Sequence, residues 1–100
     1  MSLKVSQITN KELADYLRLT YEYLSESEKQ ELDVMLNVSK KFITSYTGLT
    51  IEEVDEHEDF VIVVYVLVAD MYDTRSMYVD KSNLNRVVET ILGMHSINLL

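Results

Sequence analysis

The stretch Asp59–Tyr78, DFVIVVYVLVADMYDTRSMY, constrains this chain's fold more than any other. Val61, Ile62, Val63, Val64, Val66 and Val68 are β-branched and favour strands on propensity alone. Length argues the other way. A continuous apolar strand runs about four to eight residues, and this pattern continues for roughly twice that with no Gly, Pro or turn cluster. After Ala69 the residues Met71, Tyr72, Arg75, Ser76 and Tyr78 mix apolar and polar at helical spacing. Asp55, Glu56, Glu58 and Asp59 precede the run, where carboxylates favour the positive end of a helix dipole. The stretch predicts a central helix over about 58–78, and a helix apolar nearly all round belongs inside a bundle.

At 100 residues the chain has room for one core, so we expect a single domain over 1–100. It contains no cysteine, which excludes disulfides and thiolate metal sites. MSLKVSQITN lacks a cationic leader followed by an apolar core, so no secretion signal is expected. The apolar run at 60–69 falls short of the roughly 20 residues that span a bilayer, and we expect a soluble protein without a membrane partner. The formal net charge is −8, and Lys40–Lys41 is the only adjacent basic pair. Gripping a nucleic-acid backbone needs clustered cations, so no sequence-specific nucleic-acid binding is expected. Between Thr50 and Asp73 there are eight carboxylates and no Lys or Arg.

The remaining helices are read from their caps. Thr9 or Asn10 starts a short helix carrying Leu13, Tyr16 and Leu17 to about Leu19, followed by the connector LTYEYL, where a brief strand is conceivable. Ser25 and Glu28 have capping-box spacing and open a helix to about Thr47. Its stripe is Leu32, Met35, Leu36, Phe42, Ile43 and Tyr46, with Lys29, Asp33, Lys40 and Lys41 facing out and Val38 off the stripe. Gly48 supplies its left-handed C-terminal cap. Thr50 and Glu53 repeat the box, making TIEEVDE one or two helical turns. After the polar break VDKSNL, Ser82 or Asn83 caps a last helix from Leu84 to about Leu92. Gly93 ends that helix and leaves a tail over about 93–100. The sum is an all-α bundle of four to five helices.

Chemistry is sparse. His57 shares a helical face with Glu53 and lies two residues before Asp59, so Glu53, His57 and Asp59 form the one candidate metal set, that of a metal-dependent hydrolase. Such a site needs further ligands, and His95 is the only other histidine; we read the corner as solvated and acidic, with no metal or other cofactor. Asp70 and Asp73 stand three apart with Arg75 nearby. Arg75 is expected to pair with one of them, or with an acidic residue on another helix or subunit, rather than to take part in catalysis. With only Gly48 and Gly93, no Gly-rich phosphate loop exists, and no G-x-S-x-G elbow is present. Tyr16, Tyr46, Tyr65 and Tyr72 fall on apolar stripes and read as core; Tyr21, Tyr23 and Tyr78 fall at helix ends or connectors.

Four stretches in order, ELADYLRL, KKFITSYTGLT, VLVADMYDTRS and LNRVVETILGMHSINL, make the chain resemble the small head–tail connector (adaptor) proteins of tailed bacteriophages and prophages. These are often labelled DNA-packaging proteins. The acidic EEVDEHED corner departs from that pattern. The resemblance implies a structural protein and not an enzyme, with no catalytic residues. It implies a homo-oligomeric ring, commonly twelve-fold, beneath the portal protein, extending the DNA channel and offering a platform to a head-completion or tail protein. It places the protein in the virion at the head–tail junction, and in host cytoplasm before assembly, where the free chain can be monomeric. Assembly contacts are expected from Lys40, Lys41, Glu52, Glu53, Glu56, Asp70, Asp73 and Arg75, and from Ile97, Leu99 and Leu100 of the tail. The competing reading is a small cytosolic helical interaction or regulatory module.

Overall fold

A computed structural model describes residues 3–96 of the chain. Five helices form the fold, α1 (Asn10–Tyr16), α2 (Glu26–Thr47), α3 (Ile51–Val54), α4 (Asp59–Thr74) and α5 (Arg86–His95), with short 3-10 turns before α1, α2 and α5. There is no strand among the described residues. LTYEYL forms a 3-10 turn over Tyr21–Tyr23. The Tyr21 hydroxyl donates to Asn10 at 3.0 Å, and the Lys29 ammonium lies 4.5 Å from its ring centre. Lys29, expected to face out, is therefore half-buried.

The central helix is α4, which packs chiefly on α2 and α5 and more lightly on α1. Phe60, Val61, Val63, Val64, Tyr65, Leu67, Val68 and Met71 are buried along it. They meet Leu13 and Ala14 of α1, Leu32, Met35, Leu36 and Ile43 of α2, and Val88 and Leu92 of α5 in one core. Full burial of a Val or Leu side chain stabilises by about 1.5–3 kcal/mol. The intrinsic helix cost of a β-branched residue is roughly 0.5 kcal/mol, so packing decides in favour of the helix. Ile62 is the β-branched residue of this run that faces out, 46% exposed. The molecule is flattened, 47 × 27 × 18 Å, and no described helix is long and apolar enough to cross a membrane.

The caps of α1, α2 and α3 form as read. Ser25 and Glu28 close a reciprocal capping box on α2, and Thr50 and Glu53 close another on α3. Gly48 takes φ 77°, its N–H bonded to the Thr44 carbonyl. The α2 stripe needs two additions: Ser39 and Thr47 are buried on it, while Phe42 is half-buried and Tyr46 is exposed. Tyr16 is also exposed, so of the four tyrosines read as core only Tyr65 is buried, with Tyr72 half-buried.

Four helix ends differ from expectation. Helix α1 closes at Tyr16 rather than Leu19, because Arg18 turns left-handed at φ 62°. Helix α4 closes at Thr74 rather than Tyr78, because Arg75 adopts φ 55°. The Ser76 N–H then reaches back to the Met71 carbonyl and closes the last turn. Neither stop is marked by glycine, the usual residue there. Helix α5 starts at Arg86 with Asn85 as cap, since Asp80 gathers Ser82 and Asn83 into a separate turn. It then runs through Gly93 to His95, so Gly93 does not end it.

Candidate functional site

The corner between α3 and α4 brings together residues from both ends of the described chain. Asp55 accepts from the backbone N–H of Ser6 at 3.0 Å and from its hydroxyl. The His57 N–H bonds the Val54 carbonyl, which turns the chain so that Asp59 opens α4. Because α5 continues past Gly93, its last residue lands on this corner. His95 Nε2 lies 2.8 Å from Asp59 Oδ2, and the rings of His57 and His95 are 4.2 Å apart at 34°. Phe60 backs both imidazoles, its ring centre 5.9 Å from that of His57 and 4.9 Å from that of His95. His57, Asp59 and His95 are each half-buried, and one potential ligand atom from each lies within 4.8 Å of the others.

This set differs from the one read in the sequence. Glu53 is not in it: its carboxylate accepts the Thr50 N–H at 3.0 Å and belongs to the α3 cap. His95 takes its place, and the corner holds a half-buried His57–Asp59–His95 cluster beside its exposed glutamates. With α5 expected to stop at Gly93, His95 fell in the tail, 36 positions from Asp59, and no local spacing connects them.

At the other end of α4, Asp70 and Asp73 line a cleft of about 610 Å³ together with Asp80, Asn83 and Asn85. Partial desolvation, and then the charge of Asp73, push the Asp70 carboxyl above its ordinary range. Arg75 does not pair with either; its guanidinium lies 4.5 Å from the Tyr72 ring centre, and it makes no ion pair among the described residues. The exposed left-handed cap carries its side chain back over Tyr72 instead.

A second cleft, about 360 Å³, lies between the end of α2 and the segment after α4, lined mainly by Phe42, Tyr46, Met77, Tyr78 and Val79. Lys41 and Lys81 also border it. Lys40 and Lys41 form no ion pair among the described residues, and Glu52 and Glu56 of the α3–α4 corner are exposed. Ile97, Leu99 and Leu100 lie outside the described residues.

No family model, curated protein or solved structure matches this chain.

Proposed function

We propose that this chain is a structural assembly subunit, the head–tail connector of a tailed phage or prophage, acting as a ring beneath the portal protein. The observation that carries the reading is the exposed apolar strip of Tyr46, Met77 and Tyr78 beside Lys41, unlike in chemistry to the exposed acidic corner of Glu52, Glu53 and Glu56. Two unlike surfaces on one subunit are what a head-to-tail ring contact requires. The four stretches that resemble the connector family give this general assembly role its specific form. Helix α1, the end of α2, the end of α4 and α5 carry them in order.

In this reading the acidic corner of one subunit meets the Lys40/Lys41 side of the next, and the apolar strip is covered in the same contact. Net negative charge suits a channel wall along which DNA must slide without adhering. Asp70, Asp73 and Arg75 serve packing or contacts with the portal protein and the following completion or tail protein. The test is electron microscopy of the purified chain mixed with the portal protein of the same genome. A ring added to the portal is the expected image. A discrete dimer indifferent to portal overturns the connector role and favours a cytosolic interaction module. Charge reversal at Lys40 and Lys41 abolishes the ring, and reversal of Glu52 and Glu56 in the same chain restores it.

A further inference from the structure

We infer that His57, Asp59 and His95 form a site for a single divalent transition-metal ion, with Zn²⁺ the best match, that clasps the end of α5 to the start of α4. Two imidazoles and one carboxylate are a borderline donor set that suits Zn²⁺, which binds three protein ligands with water in the fourth position. Ligand atoms around a tetrahedral zinc lie roughly 3.3 Å apart, given bonds of about 2.0–2.1 Å. Here the atoms already lie within 4.8 Å of one another, with His95 and Asp59 at 2.8 Å, so modest side-chain rotations close the set.

The cluster is incomplete as a polar network without an ion. Asp59 satisfies one nitrogen of His95, while the ring nitrogens of His57 have no hydrogen-bond partner among the described residues. A half-buried imidazole 4.2 Å from a second one therefore holds a lone pair available to a cation. Glu56 and Glu58 flank the site in a region, 50–73, that contains no Lys or Arg, and the resulting negative potential concentrates cations there. Phe60 limits how far either ring swings away.

The role inferred for the site is that of a clasp, because Asp59 opens α4 and His95 is the last residue of α5. Neither of the two clefts described above is lined by any of the three residues. This inference is independent of the connector reading, since a metal clasp serves any bundle whose last helix must stay docked.

The test is titration of the full chain, freed of metal with chelator, with Zn²⁺ against a chromophoric competitor, alongside thermal melts. One Zn²⁺ per chain, a raised melting midpoint and its reversal by EDTA are expected. His57→Gln and His95→Gln each weaken binding by more than about 10-fold, the loss that even an outer-shell partner's removal can cause. Asp73→Asn, on the opposite end of α4, leaves it unchanged. Absence of saturable one-to-one binding overturns the site, as does binding that survives both histidine substitutions. Should a variant fail to fold, the Co²⁺ spectrum of the unaltered chain decides. Intense tetrahedral bands with nitrogen ligation support the site; weak octahedral bands overturn it.

Discussion

The Tyr65 hydroxyl, midway along α4, donates to the Glu12 carboxylate of α1 at 3.2 Å, a contact spanning 53 positions. Tyr16, one helical turn beyond Glu12 on α1, stacks on the Tyr65 ring with centres 4.8 Å apart. Tyr16 thus shields the bond while remaining exposed on its other face. Burial, and then the negative charge of Glu12, push the Tyr65 phenol up to about 12.

That elevation gives a pH signature. The folded phenol holds its proton more tightly than the unfolded one, whose value is near 10. The stability it contributes is complete below pH 10 and is lost as pH rises towards 12. An ultraviolet titration should show a phenol ionising near pH 12, and Tyr65→Phe should remove that step. The same substitution costs about 1 kcal/mol at neutral pH, as expected for a long hydrogen bond to a charged acceptor.

Ser39 is the reverse case. Its hydroxyl is fully buried in α2 with no hydrogen-bond partner among the described residues. Ser39→Ala removes an unsatisfied group and improves helix propensity, so chemical denaturation should show a gain of about 1 kcal/mol. A loss on this substitution would show that the hydroxyl finds a partner in solution.

Asp70 is held above its ordinary carboxyl range, so its folded form binds a proton more readily than its unfolded form. The ionised carboxylate therefore weakens the fold, and this penalty disappears as pH falls through the raised value. Asp70→Asn should stabilise at pH 7, by no more than about 0.5 kcal/mol for so screened a charge, and should have no effect in acid. Melting curves at the two pH values make the comparison.

Arg18 and Arg75 are both left-handed helix stops, at φ 62° and 55°. A non-glycine residue there costs about 1–2 kcal/mol. Glycine recovers this less the roughly 0.5–1 kcal/mol lost through its freer unfolded chain. Arg18→Gly should therefore stabilise by about 0.5–1 kcal/mol. Arg75→Gly also loses the stacking on Tyr72, worth about 0.5–1 kcal/mol, and should come out near neutral. Equal effects at both sites would mean that the Arg75–Tyr72 contact carries no energy.

The parts legible in sequence were those where one residue type answers one local need. Ser25 with Glu28, Thr50 with Glu53, and Gly48 each satisfy backbone groups within a few positions, and each sits where the spacing predicts. The long α4 was legible because its apolar run exceeds strand length. What escaped were helix ends that carry no local signal, or a misleading one. Nothing local distinguishes Arg75 from the residues before it, and a glycine at 93 looks like a terminator whether or not the helix has room to continue. The candidate site was half legible for the same reason. His57 and Asp59 are neighbours in sequence, but His95 joins them only because α5 outlasts its glycine.

The two contacts of the α3–α4 corner have a mechanical consequence. Asp55 holds Ser6 and Asp59 holds His95, four residues apart. Tension applied between positions 6 and 95 would run through this short bracket and load two polar links before it reached the apolar interior. A force probe attached at those positions would report first the release of the bracket, and only afterwards the rupture of the bundle.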